Sequence, residues 1–146
     1  MTRATRSHPL RTTLAALTTF LLASACGGSE TPSGPTVDVD GRYALVSVDG
    51  APLPFPIVLD GQQLVEITFE NLDLAEDGVY DHVVGTRTTR GTTVTNDTRR
   101  LFGVYDVSRT TVTLTRSPDG ALAIMTYAGG ELTLVSGGFT FLYRRR

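Results

Sequence analysis

The residues of this chain that could do chemistry are few. Cys26 is the single cysteine. Downstream of it His82 is the one histidine, so a site built on several imidazoles is not available, and a strand-surface position is expected for it. Glu66, Glu70, Asp73, Glu76 and Asp77 form an acidic run that could hold calcium. An EF-hand loop needs a bidentate glutamate at its last position, and counted from Asp73 that position is Val84. Asp38-Val39-Asp40-Gly41 fails the same test, with Thr36 and Ser47 at the first and last ligand positions. Alternating carboxylates on a strand read instead as a solvated face. Nothing marks two carboxylates as a glycoside-cleaving pair. Ser29, Ser33, Ser47, Ser108, Ser117 and Ser136 all lie outside a Gly-x-Ser-x-Gly elbow. The expectation is a protein with no catalytic residues, no metal and no cofactor.

Cys26 draws its meaning from what precedes it. Arg3, Arg6 and Arg11 form a positive start, and Thr12 to Leu22 form an apolar run. That run of about 11 residues is too short to span a bilayer, which takes roughly 20. Small residues then lead to the cysteine. Residues 1–25 are read as a signal peptide and set aside from the fold. Leu22-Ala23-Ser24-Ala25-Cys26 resembles the lipobox of bacterial lipoproteins, in which the cysteine receives lipid and becomes the mature N-terminus. Here leucine stands one place further back than is usual. The resemblance implies lipid attachment at Cys26 and a membrane-anchored lipoprotein of the bacterial cell envelope. Gly27, where an inner-membrane retention signal would have aspartate, implies the outer membrane, facing the periplasm. The alternative is ordinary secretion, with cleavage after Ala25 and a free thiol at Cys26. Residues 26–36 are Gly, Ser and Pro with almost nothing apolar, and read as a flexible tether. Fully extended, the tether reaches roughly 30–35 Å at about 3.3 Å per residue.

Residues 37–146 are left, about the size of one domain. Three of the 13 basic residues precede Cys26 and all 15 acidic residues follow it, so the mature net charge is −5. An acidic balance argues against nucleic acid as a partner. All the basic residues are arginine. With the one cysteine lipidated, neither a disulfide nor a Cys-His couple can form, and packing alone must hold the fold.

Period-two alternation runs almost throughout. Arg42–Val48 is β-prone, and Val65, Ile67 and Phe69 alternate with polar residues. Val79–Thr89 follows, then Val104–Val107 paired with Thr111–Thr115, and Leu122 through Tyr127. Leu132 and Leu134 alternate with Glu131 and Thr133, and Phe139, Phe141 and Tyr143 with Thr140, Leu142 and Arg144. Asp-Gly and Gly-Gly pairs separate these runs and supply the positive φ of tight hairpins. No segment sustains a helical period. The pattern predicts an all-β fold, an antiparallel up-and-down barrel of about eight strands, with a two-sheet β-sandwich as the alternative. Strands of about 5–8 residues with Thr, Glu and Arg on their outer faces are not those of a membrane-spanning barrel, whose strands need roughly 9–11 residues.

Gly41-Arg42-Tyr43-Ala44-Leu45-Val46-Ser47-Val48-Asp49-Gly50-Ala51-Pro52-Leu53-Pro54 resembles the opening of bacterial lipocalin-like lipoproteins, and Phe139-Thr140-Phe141-Leu142-Tyr143-Arg144-Arg145 resembles their closing strand. Asp77-Gly78-Val79-Tyr80 and Phe102-Gly103-Val104-Tyr105 stand where such proteins start strands. Tyr43 takes the place of the lipocalin tryptophan, and the chain stops where lipocalins add a helix. The resemblance implies that the first and last strands are neighbours and that Arg145, or failing that Arg144, packs near Tyr43. It also implies a small apolar ligand as a partner, held in the barrel. The alternative is a non-enzymatic structural, interaction or inhibitor lipoprotein with a filled barrel. A cavity of roughly 300 Å³ or more would favour the ligand, and inward aromatic and leucine side chains without one would favour the second reading.

Overall fold

The computed structural model describes residues 37–146. The signal segment of residues 1–25, Cys26 and the tether of residues 26–36 lie outside the described residues. Nine strands follow one another: β1 (Gly41–Val48), β2 (Phe55–Asp60), β3 (Gln63–Leu74), β4 (Val79–Arg90), β5 (Thr93–Ser108), β6 (Thr111–Arg116), β7 (Leu122–Ala128), β8 (Glu131–Ser136) and β9 (Phe139–Arg145). Among the described residues there is no helix. The turns follow the glycines: Gly129-Gly130 and Gly137-Gly138 have φ values of 58° and 87°, and 60° and 86°, the left-handed pairs that two-residue hairpins need. The β5–β6 hairpin is different, since it places Arg109 at φ 57° without glycine.

All nine strands form one sheet, in the order β1-β9-β8-β7-β6-β5-β4-β3-β2, and β1 also pairs with β3. That extra pairing closes eight strands into an antiparallel barrel with β2 added on β3. A two-sheet sandwich is excluded because no second sheet exists among the described residues. The core is the inward set of alternate residues. Tyr43, Leu72, Leu74, Val112, Met125, Leu132 and Tyr143 are all at most 1% exposed. Burying each such side chain contributes about 1.5–3 kcal/mol.

The expected strand lengths hold for β6 to β9 but fail for β3, β4 and β5, which have 12, 12 and 16 residues. The surplus lies beyond the barrel. β5 pairs with β4 from Thr93 to Val104, but with β6 only from Gly103 onward. β3 pairs with β1 at Asn71–Leu74, and with β2 at Gln63–Ile67. Strands β2 to β5 therefore run on past the ring as a four-stranded flare. β2, which carries two prolines around its start, was not legible as a strand. The outer faces of the long strands carry the ion pairs Arg42–Asp73, Arg87–Glu66 and Arg100–Asp81, which a lipid-facing band does not.

Gly103 sits where β5 passes from flare to barrel. A Cβ there would stand 2.0 Å from the Thr115 carbonyl oxygen and 3.0 Å from the Tyr80 ring. Neither neighbour can yield, because one is ladder backbone and the other is buried core. Gly103→Ala is expected to lower stability by about 1–3 kcal/mol, the usual cost of overpacking. Urea unfolding of variant and parent checks this, and equal midpoints would refute it.

Candidate functional site

The base of the barrel is built where the chain enters and leaves it. In β1, Tyr43 stands opposite Leu72 of β3 on one side and Arg145 of β9 on the other. The Arg145 guanidinium carbon lies 5.6 Å from the centre of the Tyr43 ring, and its Nε donates to the Tyr43 hydroxyl at 3.2 Å. The Tyr43 hydroxyl donates in turn to the Val39 carbonyl at 2.7 Å. Arg145 Nη2 also donates to the backbone carbonyls of Asp38 (3.1 Å) and Asp40. Gly41 leaves room for this, since a Cβ there would sit 3.2 Å from Arg145 Nε. Residues 37–40 are thus strapped under the barrel, with Val39 buried. Arg144 faces the other way and pairs with Glu131 at 2.7 Å. The Tyr105 hydroxyl completes the base between the Asp40 carboxylate and the Ala75 carbonyl, the latter at 2.8 Å.

A second polar cluster lies inside the barrel, at residues the sequence marked as surface. Glu70 is 6% exposed and is the one charged side chain in the core of the described residues. His82 Nε2 lies 2.9 Å from Glu70 Oε2, its N–H donating, and the Tyr143 hydroxyl donates to the same oxygen. The rings of His82 and Tyr143 meet edge to face at 6.2 Å. Glu70 belongs to β3, His82 to β4 and Tyr143 to β9, so the cluster links the β3–β4 hairpin to β9 past the intervening β1. Burial, and then the Glu70 charge, push the Tyr143 hydroxyl well above the ordinary tyrosine range. Chemically the cluster is a carboxylate holding two donors. Among the described residues, no serine or threonine hydroxyl bonds to His82.

His82 borders a hollow of about 110 Å³ with Tyr80, Leu101, Leu114 and Ala123. That is far below the roughly 300 Å³ at which ligand pockets begin. A hollow of about 310 Å³ is lined by Arg42, Tyr43, Leu72, Asp81 and Val83. A groove of about 660 Å³ runs along the outer wall over Val79, Phe102 and Val104, edged by Asp81 and Arg100. Phe102 and Val104 are more than half exposed, as are Leu122 and Ile124 on β7. Val79 faces Val104, and Thr115 lies between Val104 and Leu122 in the ladder, so these apolar side chains share one outer face. Among the described residues no three His, Cys, Asp or Glu side chains are grouped as a metal site.

The site is that of a closed antiparallel barrel in which Glu70, His82 and Tyr143 bind one another and whose outer wall exposes apolar side chains. Comparison with protein-family models, with curated proteins and with solved structures finds no match to this chain.

Two measurements follow from this geometry. A double-mutant cycle of Tyr43→Leu and Arg145→Gln, read by thermal unfolding, is expected to give a coupling of about 0.5–2 kcal/mol, and strict additivity would disprove the contact. The second is a pH dependence. Tyr43, Tyr80, Tyr105 and Tyr143 are all pushed upward, in each case chiefly by burial. Unfolded tyrosine releases its proton near pH 10, while these hold theirs in the folded state, so the native state binds more protons above that pH. The contribution of these four tyrosines to stability should be level below about pH 10 and fall as the pH rises beyond it. Denaturant midpoints at successive pH values test this, and midpoints unchanged above about pH 10 would refute it.

Proposed function

We propose that this protein is a lipid-anchored module of the bacterial cell envelope that acts through its surface rather than by catalysis or by enclosing a ligand. The observation that carries this reading is the filled interior. Tyr43, Tyr143, Leu72, Met125 and Leu132 occupy the barrel, and the hollow beside His82 holds about 110 Å³. A drug-sized apolar ligand does not fit there, whereas the outer wall offers apolar area of the kind that marks interaction sites. The anchor rests on the lipobox-like segment ending in Cys26 and on the lipocalin-like opening and closing strands. More than one acyl chain on Cys26 would give stable attachment, where one chain is marginal. The periplasmic face of the outer membrane is the location this assigns.

The test is mass spectrometry of the full chain extracted from its membranes in detergent. The expected result is a mature chain beginning at acylated Cys26, with no small apolar molecule retained. Cys26→Ala should shift the protein to the soluble fraction. An unacylated terminus, or a variant that stays in the membrane, would overturn the anchor. A stoichiometric apolar ligand would overturn the filled-barrel reading and restore the binding one.

A further inference from the structure

The flare leaves one strand edge open. From Thr93 to Leu101, β5 has β4 on one side and no strand on the other among the described residues. Residues 93–100 are all exposed. The direction of the backbone groups along this edge can be read from the ladder. The Phe102 carbonyl accepts from Ser117 on the β6 side, and the Tyr105 N–H donates to Gly78 on the β4 side. Even-numbered residues therefore present their N–H and C=O groups outward, at Val94, Asn96, Thr98 and Arg100. A row of unpaired donors and acceptors of this kind is a template for another strand.

We propose that a second copy of this chain pairs with it along this edge, β5 against β5, antiparallel and centred on Thr98. The edge is complementary to itself in that register. Asp97 of each copy comes opposite Arg99 of the other, so the same charge pair forms twice about a two-fold axis. Asn96 comes opposite Arg100, and Thr98 faces Thr98. These even-numbered pairs are the ones whose backbone groups point outward, so the ladder bonds and the charge pairing favour the same register. Asp97 and Arg99 have no ionic partner within the described residues, whereas neighbouring Arg100 is held by Asp81 at 2.6 Å. The pairing runs from Thr95 to Leu101 and stops there, because Ser117 already occupies the edge of Phe102. At that limit Val94 of one copy comes level with Phe102 of the other, both of them 57% exposed in the single chain. The proposal goes beyond the anchoring and the filled interior, and depends on neither.

The experiment is the mass of the full chain in detergent micelles, by sedimentation, across a protein concentration series. A dimer is expected. Arg99→Asp sets two like-charged pairs in place of two opposite ones and should weaken dimerisation at least tenfold, while Asp97→Arg combined with Arg99→Asp should restore it. Thr98→Pro removes an N–H that only the second copy would use, so the variant should keep its circular dichroism and become monomeric. A parent monomeric at every concentration would overturn the proposal. So would a dimer indifferent to Arg99→Asp and Thr98→Pro, or a foreign protein seated on the edge in place of the second copy.

Discussion

Everything in this fold waits on the closure of β1 against two partners at once. β1 must pair with β9 on one side and with the end of β3 on the other, and Tyr43 is in both ladders. Until that happens, the inward face of each wall looks onto water. The contacts that achieve it are remote in sequence, since Arg145 and Tyr43 are 102 residues apart. No short hairpin can supply them. The penalty of bringing such distant segments together must be met before the interior is sealed, which places this chain among the slow-folding topologies. The base contacts act at the same point. Arg145 gathers the ring of Tyr43 and the carbonyls of residues 38 and 40, so one side chain holds the seam and the entering strand together.

Glu70 shows how a polar group is tolerated in such an interior. A carboxylate without partners would be costly there, but His82 and Tyr143 both donate to it, and no buried side-chain polar atom of the described residues is left unsatisfied. Glu70 and His82 already meet in the β3–β4 hairpin, but Tyr143 of β9 reaches them only in the closed barrel. Their mutual satisfaction is therefore a condition on register, because a slip of one residue would turn Glu70 outward and strand its two donors. Through these contacts Glu70 links the β3–β4 hairpin to β9.

The barrel was legible because alternation and glycine turns are local signals. β1 and β6 to β9 stand where period two places them. The adjacency of first and last strands and an arginine near Tyr43 were implied by the lipocalin resemblance and not by the alternation, which bore only on Arg145 keeping step with Phe139, Phe141 and Tyr143. What stayed hidden was hidden for physical reasons. Val65, Ile67 and Phe69 set one phase, but a register shift between Ile67 and Phe69 passes the inward phase to Glu70, Leu72 and Leu74. That shift made Glu70 read as solvated, and with it His82. The signal was present, since Glu70 keeps step with Leu72 and Leu74, and His82 with Tyr80. Leu122 and Ile124 mislead in the opposite direction: they are apolar but exposed, while Ala123, Met125 and Tyr127 take the inward places. The β5 part of the flare was missed because residues 95–100 are polar on both faces, which leaves no alternation to detect.

The chain enters and leaves this barrel at the same pole. Gly41 faces the end of β3 at Leu74, and the backbone N–H of Arg146 donates to the Arg42 carbonyl, so both ends of the folded unit emerge side by side. The hairpin tips at Gly61-Gln62 and Gly91-Thr92 lie at the other pole. Neighbouring termini mean that the strand order could be re-entered elsewhere: joining Arg146 to Val37 by a short linker and opening an outer loop would leave every ladder intact. The molecule is, in that sense, a ring whose starting point is a matter of attachment.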